Sequence, residues 1–250
     1  MTIPGKAGAA WLTLRRATAA RIGLARTGAS LGTAPLLEFR LAHAHAREAV
    51  HAQLDEPALL RAMPPSLPRL LVLRSMAENR REYLMRPDLG RRLRPESLEK
   101  LAAQAGNFDL VIVLGDGLSA QALQHHAAPV MEALLPALGG WALAPPVLVH
   151  GARVAVADEV AVAVGARAAL ILLGERPGLS APDSLGAYLT WAPTDATTDA
   201  ERNCVSNIRP AGLPYGEAAY RLHHLLERMR MLETSGVGLK DESERPALIG

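Results

Sequence analysis

From Asp109 the chain alternates between continuous apolar runs and amphipathic stretches. DLVIVLG, Asp109 to Gly115, has almost no polar position, as a strand covered on both faces requires. DGLSAQAL then turns the chain into a helix, which Pro129 is predicted to break, or else to start the next one. PVLVHG reads as a second strand, ADEVAVAVGA as a helix stopping near Gly165, ALILLGE as a third strand and AYLTWAP as a fourth. From Tyr215 to Thr234, Leu222, Leu225, Leu226, Met229 and Leu232 share one face of a closing helix. The stretch from Lys240 on reads as frayed. Strands alternating with helices predict an α/β fold with right-handed crossovers, a mostly parallel, Rossmann-like sheet flanked by helices.

The first third is organised differently. Leu41 to Leu54 is helical in pattern, and the three prolines between Ala62 and Pro68 mark a boundary. This divides the chain into a helical N-terminal arm and region, 1–68, and an α/β domain, 69–250. Leu70 to Leu73 is strand-like, and Arg86-Pro87-Asp88 interrupts the chain. RRLRPESLEKLAAQAG then places Leu98, Leu101 and Ala105 at helical spacing, with Gly106 as a stop. Lys6, Arg15, Arg16, Arg21 and Arg26 all precede the first acidic residue, Glu38, and are interleaved with Trp11, Leu12 and Leu14 and with glycine turns at Gly23 and Gly28. Such a lead-in is either a solvated arm or one that docks on a partner subunit, where an aromatic and leucines beside arginines are at home.

At 250 residues, 49% of them apolar, the chain can build a substantial core. Aromatics are only 4%, so that core is made of Ala, Leu and Val, which suits helices on a sheet. A net charge of +2 is too balanced to argue for nucleic acid. The longest apolar run, Val160 to Gly174, is interrupted by Arg167 and falls short of the roughly 20 residues a membrane span needs. No signal peptide is expected, and the single cysteine, Cys204, points to a reducing compartment and a cytoplasmic protein.

The turns after the strands carry the candidate chemistry, since ligands of open α/β sheets sit beyond the strands' carboxyl ends. Gly115, Asp116, Gly117 and Ser119 form a strand-to-helix turn that could approach a ligand, with Asp116 or Ser119 as a helix cap the plainer alternative. The apolar run Ala169–Leu173 stops abruptly in Gly-Glu-Arg-Pro-Gly, a binding edge where Glu175 can accept hydrogen bonds or simply pair with Arg176. Cys204 has no partner at a spacing that supports a thiol nucleophile. The eight histidines include His43 with His45 and the adjacent pairs His125-His126 and His223-His224. Such spacings send side chains to different helix faces, so no metal site is expected. Neither a nucleotide-binding glycine loop nor a serine elbow is present, and no catalytic acid–base group is legible.

ARIGLARTG (Ala20 to Gly28), LLEFRLAHAHAREAVH (Leu36 to His51), RPDLGRRL (Arg86 to Leu93), LGDGLSA (Leu114 to Ala120), LGERPGLS (Leu173 to Ser180) and RNCVSNIRPAGL (Arg202 to Leu213) occur in that order. Together they resemble the small (light) subunit of ethanolamine ammonia-lyase, over about Trp11 to Met231. GERPGLS with RNCVSNIR is the specific combination. Two positions depart from the family pattern: Ala25 in ARIGxGR, and Ala152 before Arg-Val.

The resemblance implies an adenosylcobalamin-dependent carbon–nitrogen lyase converting ethanolamine to acetaldehyde and ammonia. The small subunit would cover the lower face of the cofactor and its nucleotide tail, against a TIM-barrel large subunit that holds the substrate. It implies cofactor contacts at Val154, Glu175 and Cys204, no catalytic residue in this chain, and no protein histidine on cobalt. It also implies a hetero-oligomer of six large and six small subunits, with neither nucleic acid nor membrane as partner. The N-terminal extension by which some members enter a bacterial microcompartment is expected to be absent or short, which leaves encapsulation in a microcompartment as the lesser alternative to the cytoplasm. Two rival readings remain: a cobalamin-binding or assembly module without a lyase role, and a free-standing enzyme using the DGLS and GERPG turns.

Overall fold

The computed structural model describes residues 6–18, 20–24 and 26–243. At the N-terminus, α1 (Lys6–Arg16) is followed by a small antiparallel hairpin, β1 (Arg26–Thr27) and β2 (Ser30–Leu31), and by α2 (Thr33–His51). Gly23 and Gly28, predicted as turns, both have positive φ, and the Trp11 ring lies where a side chain at Gly23 would stand. Ala25 lies outside the described residues.

The body follows in the order α3 (Glu56–Ala62), β3 (Leu71–Arg74), α4 (Arg80–Met85), α5 (Pro95–Ala102), β4 (Phe108–Gly115) and α6 (Ala120–Leu134). It continues with β5 (Val147–His150), α7 (Val156–Val164), β6 (Ala166–Gly174), β7 (Leu185–Trp191), β8 (Arg202–Ile208) and α8 (Tyr215–Leu232). Six strands form one sheet in the order β3-β5-β4-β6-β7-β8. The first four are mutually parallel, while β7 and β8 run antiparallel. The expected α/β class with a mostly parallel sheet is therefore observed, and its antiparallel part is the β7–β8 edge. The reason is local: no helix separates Gly174 from Leu185, and a parallel return needs a crossover of a dozen residues or more.

Strand alternation divides the core in two. Leu110, Ile112 and Leu114 of β4 and Leu170 and Leu172 of β6 face α6 and α8. Val111, Val113, Ala169 and Ile171 face the α7 side. At roughly 1.5–3 kcal/mol per fully buried aliphatic side chain, these two layers supply the main drive to fold. Pro129 does not break α6: the helix runs through it because Val130, Met131 and Leu134 beyond it are fully buried. Their packing outweighs the roughly 3 kcal/mol a mid-helix proline costs. α5 ends at Ala102, ahead of the predicted stop at Gly106, and Gly165 closes α7 in the left-handed conformation. At the C-terminus Lys240, Asp241 and Glu242 are exposed, Ser243 is buried and Glu242 lies 3.4 Å from Arg228; the rest of the stretch expected to fray, 244–250, lies outside the described residues. Among the described residues no helix is long and apolar enough to cross a membrane.

Candidate functional site

The carboxyl ends of β4, β5 and β6 lie side by side, and the turns leaving them interlock. Gly117, at φ +56°, comes so close to Gly174 that a Cβ there would stand 2.2 Å from the Gly174 carbonyl oxygen. A Cβ on Gly174 would stand 2.0 Å from the Ser119 carbonyl oxygen. The Leu118 amide donates to the Gly174 carbonyl at 2.9 Å. The DGLS turn thus spends its backbone on β6. Ser119 caps α6 by accepting from the Ala122 amide (3.2 Å), the structural alternative weighed for it.

Asp116 has a different task. Its carboxylate accepts from the amides of Gly151 (2.9 Å) and Ala152 (3.1 Å), so it holds the turn that presents Arg153 and Val154. Burial raises its pKa, against the opposing pull of those two amides. Tyr83 of α4 reinforces the same turn, its hydroxyl donating to the Ala152 carbonyl (2.9 Å) and its ring lying under the Arg153 guanidinium at 4.4 Å. Arg153 Nε is buried without a hydrogen-bond partner.

Val154, Glu175 and Cys204 come from three separate elements and meet around one residue that sequence reasoning missed, Tyr188. Cross-strand register sets Tyr188 of β7 between Ile171 of β6 and Cys204 of β8. Two adjoining cavities share Arg153, Val154 and Tyr188. One, of about 410 Å³, reaches Cys204 and Arg202; the other, of about 470 Å³, reaches Leu173, Glu175 and Arg176. They exist because α8 backs β7 and β8 on one face only. On the other face Tyr188 is half-buried, and Cys204 and Ser206 are exposed. A larger cavity of about 550 Å³ lies beyond Tyr83, by Arg80, Asp116 and His150, and holds none of the three expected contacts.

Among the described residues Glu175 forms no ion pair with Arg176. It clasps the loops around it: Ser184 Oγ donates to its carboxylate (2.6 Å) and the Asn207 amide approaches at 3.3 Å. A carboxylate has about four acceptor positions, so others remain for a ligand. At the far end Arg202 forks onto Asp158 of α7, at 2.7 and 2.6 Å, and tethers β8. Burial works against the Arg202 charge, but the bonds to Asp158 and the charge of that carboxylate more than offset it, so its pKa rises. Desolvation raises the pKa of the Cys204 thiol and of the Tyr188 phenol, leaving both neutral near pH 7. The cleft therefore offers a neutral thiol, a phenol, an apolar Val154, the Glu175 carboxylate, an exposed Asp199 at its edge and a rim of arginines. That set can meet a ligand with both apolar and hydrogen-bonding surface.

The comparisons with known proteins agree on one family. A family model described as "Ethanolamine ammonia-lyase light chain (EutC)" matches residues 8–240. The chain is 52% identical over 246 residues to a protein of Azotobacter vinelandii named ethanolamine ammonia-lyase small subunit, covering 96% of this chain and 91% of the relative. It is 52% identical to a Pseudomonas aeruginosa protein of the same name, covering 96% of this chain and 90% of the relative. A Xanthomonas campestris protein, also so named, is 51% identical over 245 residues, with 96% and 90% covered.

Proposed function

The chain belongs to the ethanolamine ammonia-lyase light-chain family, and from that premise we propose that its Val154–Glu175–Cys204 cleft receives the lower face of adenosylcobalamin. The single observation that carries this reading is convergence. Three positions implied as cofactor contacts, 21 to 50 residues apart in sequence, line one open depression around Tyr188. The residues fit such a group. Two shallow adjoining cavities suit one face of a macrocycle better than they would enclose it, so a second subunit would have to supply the other face. The buried, partnerless Arg153 Nε adds a donor aimed at no protein acceptor.

When bound, the cofactor supplies the radical chemistry by which ethanolamine becomes acetaldehyde and ammonia. This chain's residues bind and orient. Val154 and Leu173 offer apolar contact, and Glu175 accepts from amide N–H groups on the cofactor's rim. Cys204 and Ser206, being small, let the macrocycle approach the sheet, and the arginines at 153 and 176 suit a phosphodiester in the nucleotide tail. Tyr83 and Asp116 act behind them, fixing the Arg153–Val154 turn.

The N-terminal region, 1–68, is the proposed docking surface for the large subunit. α2 buries only Ala49 of its 19 residues, while Leu37 and Leu41 are each 58% exposed. Trp11, Leu12 and Leu14 are exposed on α1. Arg21 approaches the Leu179 carbonyl at 3.4 Å, so the ARIG and GERPGLS segments lie against each other. A hetero-oligomer of six large and six small subunits in the cytoplasm completes the reading.

The test is co-purification with the large subunit followed by titration of the complex with hydroxocobalamin. Glu175→Ala should weaken binding about tenfold or more, the worth of a hydrogen bond to a charged group, and Glu175→Gln should lose less. Failure to form the complex, or wild-type affinity in Glu175→Ala, would overturn the assignment.

A further inference from the structure

A second cluster lies away from this cleft, where α6 meets the loop between β6 and β7. His125, His126 and Asp183 each offer one ligand-capable atom, and the three atoms lie within 4.8 Å of one another. His125 Nδ1 stands 3.6 Å from Asp183 Oδ2, and His126 Nε2 stands 3.5 Å from the same oxygen. These separations are too long for good hydrogen bonds, which lie at about 2.7–3.2 Å. They are close to the edge of a tetrahedron whose bonds from a central zinc are about 2.0–2.1 Å long, roughly 3.3 Å.

The buried member of the trio is the informative one. The His126 side chain is 6% exposed, and its Nε2, facing Asp183, has no hydrogen-bond partner. An orphaned ring nitrogen in that position loses the free energy of a buried polar group unless something accepts its lone pair or its proton. Its other nitrogen, Nδ1, lies 2.9 Å from the Tyr215 hydroxyl. With Nδ1–H donating to that oxygen, Nε2 carries the lone pair, the arrangement in which metal-bound histidines are held by an outer partner.

The third ligand is fixed from both sides. Ser119 Oγ donates to the Pro182 carbonyl at 3.2 Å, and the Glu175 amide donates to the Ser184 carbonyl at 3.0 Å. Neighbouring helix positions ordinarily diverge, but here the loop carries its carboxylate to the gap between the two rings. His125 is 56% and Asp183 32% exposed on the side chain, leaving a route for an ion and a face for water.

We propose that His125, His126 and Asp183 form a binding site for a divalent transition ion of the zinc type, with water as the fourth ligand. The ion would fasten α6 to the loop that delivers Ser184 to Glu175. Two imidazoles and a carboxylate suit zinc and exclude a calcium-type oxygen cage. The experiment is titration of the chelator-treated full chain with Zn²⁺, by calorimetry and by metal analysis after gel filtration. One ion per wild-type chain is expected, with affinity reduced at least tenfold in His125→Ala and in Asp183→Asn, both exposed enough to leave folding intact. His43→Ala, an exposed histidine elsewhere, should bind like wild type. Wild-type affinity in both site variants, or no stoichiometric Zn²⁺ on the unaltered chain, would overturn the proposal.

Discussion

Replacing Arg202 by methionine should be among the most damaging single changes on the cleft side of the sheet. The Arg202 side chain is 3% exposed and that of Asp158 8%, so their two contacts at 2.7 and 2.6 Å form a buried pair. Arg202 also donates to Thr190 Oγ1 at 3.0 Å. An exposed pair would be worth about 0–1 kcal/mol. Removing one partner of a buried pair strands the other charge and costs about 3–5 kcal/mol. For a chain of this size, about 2–4 °C per kcal/mol gives a fall in Tm of about 6–20 °C, read by circular dichroism and by urea unfolding. The double variant Arg202→Met with Asp158→Leu removes both charges and should regain most of the loss, since apolar replacement of a buried pair is often neutral. A loss under about 1 kcal/mol in Arg202→Met, or a double variant no better than the single, would show that this pair does not anchor β8 as a buried ion pair.

Three further outcomes follow from the same geometry. Gly174→Ala should destabilise the chain by several kcal/mol, about the scale of a backbone overlap that side-chain rotation cannot relieve, because the added carbon meets the Ser119 carbonyl oxygen; chemical unfolding measures it. Asp116 has a folded-state pKa raised by burial, so its contribution to stability is fully present below its unfolded pKa and declines as pH rises through the folded value. Asp116→Asn keeps an acceptor for Gly151 and Ala152 but does not titrate, so its stability relative to wild type should improve between pH 4 and pH 8; a flat difference would contradict the assignment. Tyr83→Phe removes the bond to the Ala152 carbonyl and should cost about 1–2 kcal/mol by urea unfolding while leaving the ring under Arg153.

Where burial on both faces forced an unbroken apolar run, as in β4 and β6, the sequence announced the element. The same holds for α8, where Leu222, Leu225, Leu226 and Met229 of the predicted apolar face are buried against β7, β8 and α6, while Leu232 at the helix end is exposed. β8, RNCVSNI, carries neither an apolar run nor a clean alternation that would mark a strand. Its inward residues are Val205 and Ile208, set off the strict period of two by an irregularity in pairing with β7, and its other face is left open. The property that hid the strand is the property that makes the cleft. Tyr188 was missed for a related reason: inside AYLTW it looks like core, and only the register with Cys204 sets it at the centre of the site. Asp116 looked like a ligand-facing turn residue or a cap, and no local pattern could reveal that its partners lie 35 and 36 residues away. The three expected contacts themselves came from resemblance; spacing alone gave no reason to join them.

The depression around Tyr188 is the proposed seat of cobalamin. Val154 lines both halves of it, so Val154→Trp fills the site without touching Glu175, Cys204 or the arginines. The most direct measurement is hydroxocobalamin affinity of the assembled two-subunit complex carrying that change, followed by visible absorbance. The Val154→Trp complex should still form and should bind cobalamin at least a hundredfold more weakly. Wild-type affinity in the assembled Val154→Trp complex would contradict it.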